Sequence, residues 1–317
     1  MKVVHGLSSS DLPLSNTVVA IGVFDGVHRG HQEIFHQTAR EARSLQATPT
    51  ILTFDIHPSQ LLAPHSSPGL ITTLAQRVGL IRKYGEIETV MIAPFTREFA
   101  GLSPSRFVED ILVGALGARH ILVGADFRYG RNRAGTVSTL LSEGAERGFA
   151  VTILPPVLFS GVRISSTLVR EALAVGDVVA AADLMGHPFV YSGTVVEGKK
   201  LGRTIGYPTA NLAPVEAEQI APANGIYAGI AYLEGGRQAH TAVSVGLNPT
   251  TDSDGRRKIE AYLMGGFQGD IYGQRVDLEF RQKLRNEQKF SSLDELTAQI
   301  ARDVEAAEKI LTAISAV

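Results

Sequence analysis

The run GVFDGVHRGHQ, residues 22–32, passes from strand to helix through a join that holds His28, His31 and the glycines 22, 26 and 30. Before it, Thr17–Ile21 is a β-branched apolar run; after it, HQEIFHQTAREARSLQ (31–46) has helical spacing. Glycine lets backbone approach a ligand closely, and a helix N-terminus turns unpaired N–H groups toward an anion. Working outward, TPTILTF (48–54), ETVMIAPF (88–95), RHILVGAD (119–126) and FAVTILPP (149–156) are strand-like runs that alternate with amphipathic segments. One of these, SPSRFVEDILVGALG (103–117), is predicted to be a helix with Ser103 as N-cap and Pro104 at its first position. This alternation, from Thr17 to about Met185, predicts a doubly wound, Rossmann-like α/β domain with a parallel sheet covered by helices.

After DLMGHP (183–188) the texture changes to β-branched and aromatic runs separated by turn signals: FVYSGTVV, GIYAGIAYL, QAHTAVSVG, RKIEAYLMG and QRVDLEF. These predict an antiparallel barrel or sandwich, and SSLDELTAQIARDVEAAEKILTAI (291–314) one closing helix. The domains are placed at 1–186 and 187–317.

Two domains also suit the length of 317 residues, with 44% hydrophobic and 20% charged side chains. Thirty basic residues face 32 acidic ones with no basic block, which argues against nucleic-acid and membrane-surface partners and for small molecules. The lack of cysteine excludes disulfides, thiolate metal sites and a thiol nucleophile, and fits a cytoplasmic protein. The N-terminal stretch has no long apolar core of a signal, and no run approaches the ~20 apolar residues of a membrane span.

In an open α/β sheet, ligands bind beyond the carboxyl ends of the strands. DGVHRGHQ, DIHP (55–58) and GADFRYGRNRAG (124–135) follow such strands, and RISSTLVRE (163–171) opens a later helix. A phosphate there would meet His28, His31, the hydroxyls of Ser165, Ser166 and Thr167, and Arg170, whose fork suits an oxyanion. Taken singly, H-x-x-H is also a metal half-site or a pair of surface histidines, and S-S-T is also a helix cap. Zinc is disfavoured, because no other ligand stands at the right spacing.

In the second half, GTVVEGKK (193–200) almost spells a P-loop, but Lys200 stands where the magnesium-binding hydroxyl belongs and no helix pattern follows. GKKLGRTIGYPTANL (198–212) is more informative. Thr209 and Asn211 alternate, so both can offer oxygen to a hard cation such as Mg2+ from one face; the run also reads as a plain turn before a strand. In RKIEAYLMG, Ile259, Ala261 and Leu263 share one face and leave Glu260 and Tyr262 on the other. Glu260 is a candidate general base or an exposed strand glutamate.

Taken together, GVFDGVHRGHQ, GADFRYG and ISSTLVR resemble the H-x-G-H nucleotidyltransferase domain of the prokaryotic bifunctional riboflavin kinase/FMN adenylyltransferases, the FAD synthetases. GKKLGRTIGYPTANL, GLNPT (246–250), IEAYL, DIYGQRVDLEF and LRNEQKF resemble the riboflavin kinase module of the same family, a small β-barrel with a C-terminal helix. The resemblance implies two ATP-dependent steps, riboflavin to FMN and FMN to FAD. It implies that His28 and His31 stabilise charge on the phosphorus under attack, without a covalent intermediate. It places the first domain's ATP against Gly22, Phe24, Asp25, Gly26, Gly30, Asp126, Ser165, Ser166, Thr167 and Arg170, and the kinase ATP against Gly202 and Arg203. Flavin is implied at Phe54, His57, Pro58, Phe127, Arg128 and Arg285, metal at Thr209 and Asn211, and the base at Glu260. Three departures stand out: Ile56 where the family often has proline, Tyr129 in RYG, and His187 in GHPF where it tends to have Arg-Pro-Tyr. The alternatives are an enzyme with one site inactive, a flavin-binding sensor and, discouraged by the kinase-like barrel, an adenylyltransferase for another small phosphate.

Overall fold

The computed structural model describes residues 1–7, 13–198, 201–247, 257–265 and 269–315. By its contacts the chain divides into two compact units, Met1–Pro68 with Leu74–Ser165, and Gly69–Thr73 with Ser166–Val317.

The first unit holds six parallel strands, β1 (Lys2–His5), β2 (Thr17–Ile21), β3 (Thr48–Phe54), β4 (Thr89–Ala93), β5 (Ala118–Gly124) and β6 (Ala150–Leu154), in the order β1-β4-β3-β2-β5-β6. Every strand-like run of the sequence is a strand; β1 adds an edge that its four residues, only two of them apolar, did not announce. All of β2 and β4 is buried, as expected of a sheet covered on both faces. Alternate residues divide between two cores. Val18, Ala20, Ile51, Val90 and Leu122 pack with Phe35 and Ala42 of α1 (Arg29–Ser44) and Ile81 of α2 (Leu74–Tyr84). Val19, Ile21, Leu52, Met91 and Ile121 pack with Phe107, Ile111 and Leu140, the last from α3 (Val137–Arg147).

Ser103 does cap a helix that has Pro104 at its start, accepting from Arg106 N–H at 3.2 Å. Past Pro104–Arg106, however, Phe107–Ala115 is a π-helix, closed by Leu116 N–H to Ile111 O at 2.9 Å. The apolar residues there recur four apart, a spacing that keeps one face in either helix type and so did not separate them.

The strand order reverses at β2, which has β3 on one side and β5 on the other. The crevice beyond the carboxyl ends of β2 and β5 is therefore the switch point where such sheets bind ligands. Residues 22–32 and 124–130 both lie there.

The second unit is a closed barrel and not a sandwich, with β7 (Phe189–Val196), β8 (Thr209–Pro214), β9 (Gly225–Leu233), β10 (Gln238–Leu247), β11 (Arg257–Leu263) and β12 (Arg275–Arg285) in the order β7-β8-β11-β10-β9-β12, all antiparallel. Closure leaves no open sheet edge. Ile259, Ala261 and Leu263 of β11 are buried, while Glu260 and Tyr262 are half-buried on the other face. Across the outside lies α6 (Leu293–Ser315), whose Ala307 and Leu311 pack on Ala228, Ile230, Ala242 and Met264. The change of texture at Gly186 coincides with the left-handed C-cap of a helix at φ 76°. The contacts nonetheless group α4 (Ser166–Val175) and α5 (Val178–Met185) with the barrel.

Candidate active sites

At the switch point the backbone after β2 is tightly bent: Phe24, Gly26 and Val27 have φ of 55°, 81° and 40°. A buried β-branched residue such as Val27 takes positive φ only under strain, and such strain gathers at functional loops. The bend delivers His28 as N-cap of α1, its Nδ1 accepting the His31 N–H at 3.3 Å. The two imidazoles stack, centroids 3.5 Å apart and 18° from parallel. Gly30 leaves room for this stacking, since a Cβ there would press on the His28 ring at 3.1 Å. Phe24 sets its ring edge-on to His31 at 5.2 Å. Burial foremost, then the charges of His28 and Arg77, hold the His31 imidazole well below the usual histidine range. His31 is therefore a neutral ring, and its buried Nδ1 has no hydrogen-bond partner among the described residues. Two stacked, preorganised imidazoles at a helix N-terminus can donate to an oxyanion that arrives between strand ends.

Of the other candidates in this unit, Gly22 follows β2 and donates its N–H to Leu52 O at 3.1 Å, Asp25 and Gly26 are buried in the same loop, and Asp126 pairs with Arg163 at 2.8 Å in the open. Phe54 sits in an aromatic cluster with Phe95 and Phe99, centroids 5.3 and 5.8 Å away. His57 caps the short helix Pro58–Leu62 through a reciprocal pair with Gln60. Phe127 stacks on Tyr129 at 5.7 Å, and Arg128 is exposed. Tyr129 itself is core, against Phe107 at 5.4 Å, and Ile56 points outward. Ser165 is half-buried at the end of this unit; Ser166, Thr167 and Arg170 belong to the second, where Arg170 donates to Gly69 O at 3.0 Å.

Sequence reasoning missed Arg77. It is buried, 3% exposed, and braces the histidine loop by donating to Val23 O at 2.6 Å and Phe54 O at 2.8 Å. No motif marks it, and its partners are distant in the chain.

In the second unit a cavity of ≈ 460 Å³ lies against the outer face of the barrel and α6. Register assembles its chemistry: Asn211 and Ser244 stand directly opposite Glu260, and Thr209 opposite Tyr262. The Thr209 hydroxyl donates to Glu260 Oε2 at 3.4 Å, and Lys258 ion-pairs with Oε1. Asn211 is buried, and its Oδ1 has no hydrogen-bond partner among the described residues. That orphaned oxygen beside a hydroxyl is the donor chemistry a hard cation takes, so these residues fit one. No cluster of three His, Cys, Asp or Glu suited to a metal exists among the described residues. Gly202 reaches the same cavity in the turn Leu201–Thr204, where a Cβ would run into the Tyr207 carbonyl, and Arg203 is exposed beside it. Arg285 lines the wall too, but its guanidinium is held by Asp303 of α6 at 2.7–3.1 Å and stands over Phe290. His187 is buried, its Nδ1 3.0 Å from Pro188 O. Lys200 of the P-loop look-alike and residues 248–250 lie outside the described residues.

Comparison with known proteins follows the same division. The family described as FAD synthetase matches residues 11–168, and that described as riboflavin kinase matches residues 185–311. A protein of Escherichia coli (strain K12) named bifunctional riboflavin kinase/FMN adenylyltransferase is 39% identical over 304 residues, 96% of each chain. One of the same name from Listeria monocytogenes is 35% identical over 300 residues, 94% of each chain. A solved structure from Streptococcus pneumoniae, described as a macrolide-efflux protein, superposes with a TM-score of 0.85 at 31% identity, over 97% of this chain and 99% of that one.

Proposed function

The chain belongs to the bifunctional riboflavin kinase/FMN adenylyltransferase family, and from that premise we propose how its two sites divide the work. It is an ATP-dependent transferase that phosphorylates riboflavin to FMN and then adenylylates FMN to FAD with release of pyrophosphate. The kinase step is assigned to the barrel. Glu260 takes the proton of the ribityl hydroxyl as its oxygen attacks the γ-phosphorus of ATP and the bond to ADP breaks. A divalent cation is typical of ATP-using enzymes of this kind; we assign it as Mg2+, held by Thr209 and Asn211, where it would neutralise phosphate charge. The adenylyl transfer is assigned to the α/β unit. There an FMN phosphate oxygen attacks the α-phosphorus of a second ATP, and His28 and His31 donate to the charge that develops. No base is needed, because the nucleophile is already ionised.

The observation that carries this reading is the assembly at the cavity wall: Glu260 hydrogen-bonded to Thr209 across two strands, with the Asn211 oxygen, unpartnered among the described residues, opposite. Among the described residues no helix is long and apolar enough to cross a membrane. We place the enzyme in the cytoplasm, where ATP is at hand. Incubation with riboflavin, ATP and magnesium, followed by chromatography, tests the reading: FMN and then FAD are expected. Flavin bound but unchanged would instead support the sensor.

A further inference from the structure

Among the described residues, the barrel cavity is lined by three carboxylates, Glu260, Glu287 and Asp303, and by two cations, Lys258 and Arg285. These five lining side chains carry a net negative charge where a phosphoryl group has to arrive. Arg285 is committed, because Asp303 holds it through two carboxylate oxygens and the Asn286 carbonyl takes another of its N–H groups at 3.0 Å. Lys258 is placed differently. It precedes Glu260 by two residues on the same face of β11, pairs with Glu260 Oε1, and keeps 30% of its side chain exposed. Opposite it across the ladder stands Gly246, whose missing side chain leaves the place that the Glu287 carboxylate fills.

We propose that Lys258 is a further substrate-contacting residue of the kinase step, whose ammonium passes from Glu260 to the transferred phosphoryl group. The proposal rests on the kinase reading above. Riboflavin brings a neutral hydroxyl, whereas its product carries a phosphate dianion. In the step itself the hydroxyl O–H breaks with its proton going to Glu260, the oxygen bonds to phosphorus, and the phosphorus–oxygen bond to ADP breaks. The ammonium thus loses its carboxylate partner at the moment a phosphate forms next to it. Exchanging one anion for the other keeps the cation paired throughout, and an unpaired charge in a partly dry cavity is what would be costly.

Lys258→Met keeps the stem and removes the charge, and Lys258→Arg keeps both. Riboflavin-dependent ADP release is measured in the full chain carrying His31→Ala, which leaves added FMN unconsumed, with and without FMN as product inhibitor. For the Met variant the riboflavin KM is expected to stay within about twofold, while kcat falls and the FMN inhibition constant rises, each roughly tenfold. The Arg variant is expected close to the parent in both. Should riboflavin KM and FMN inhibition shift together in the Met variant, or neither kcat nor inhibition shift, Lys258 is only part of the wall. A parent chain that releases no ADP in response to riboflavin would overturn the kinase reading itself, and the proposal with it.

Discussion

At the residue scale, the protonation of His31 has a consequence for stability. Its folded pKa is lowered by burial, by stacked His28 and by Arg77, whereas in the unfolded chain it titrates near 6.5. Between those two values the unfolded chain binds the proton and the folded one does not, so this contribution to stability is present above the unfolded value and lost as pH falls toward the folded one. His31→Phe keeps a ring and removes the titration. Denaturation midpoints at about pH 7.5 and about pH 5.5 are expected to drop more in the parent than in the variant. Equal drops would mean that His31 does not carry that linkage. The same neutral ring suits the proposed adenylyl transfer: it can offer an N–H to phosphate without having to gain a proton first. His28, His31, Thr209, Asn211 and Glu260 stood out as candidates because each sits in a short motif, and for Thr209, Asn211 and Glu260 the family resemblance, more than spacing, favoured a functional role. Arg77 was not, since a lone arginine in a helix reads as surface, and its two carbonyl partners are 54 and 23 residues away in the chain.

At the scale of elements, α6 is tied to the barrel both by its apolar stripe and by the Arg285–Asp303 pair, where Asp303 is 6% exposed. Removing one partner of a buried pair leaves the other charge stranded, so Asp303→Ala is expected to cost about 3 kcal/mol, the low end for such pairs. Replacing both by apolar residues, Asp303→Leu with Arg285→Met, should recover most of that loss in urea denaturation. If single and double variants are equally destabilised, the pair acts through its shape and not its charge. Elements with a clear local signal were readable in advance: the apolar runs of the parallel sheet, the alternation of β11 and the closing helix α6. What escaped was β1, too short to show a period, and the π-turns of Phe107–Ala115, which differ from α-helix by one hydrogen-bond register that apolar spacing does not report. Local alternation left barrel and sandwich open, since they differ only in whether β12 returns to both β7 and β9; the barrel came from the family resemblance, and the structure bears it out.

At the scale of the whole molecule, the two units each have their own core, which predicts that they fold and act separately. We propose 1–186 and 187–317 as the division of activities, but the contacts add α4 and α5 to the barrel's unit. A fragment beginning at Ser166 is therefore expected to be more stable to denaturant than one beginning at His187, which lacks the buried Val169, Leu173, Val178, Ala181, Leu184 and Met185. Equal stabilities would mean that those helices contribute nothing to the barrel. If one chain holds two chemically independent transfers, a single chromatographic comparison of His31→Ala and Glu260→Gln separates them. With riboflavin, ATP and magnesium, His31→Ala should accumulate FMN while FAD formation falls ~10²–10³-fold, the loss typical of a preorganised donor. Glu260→Gln should make FMN ~10²–10⁴-fold more slowly yet adenylylate supplied FMN at the parental rate. Loss of FMN formation from riboflavin in His31→Ala, or of FAD formation from supplied FMN in Glu260→Gln, with circular dichroism unchanged, would mean that the two transfers are not independent.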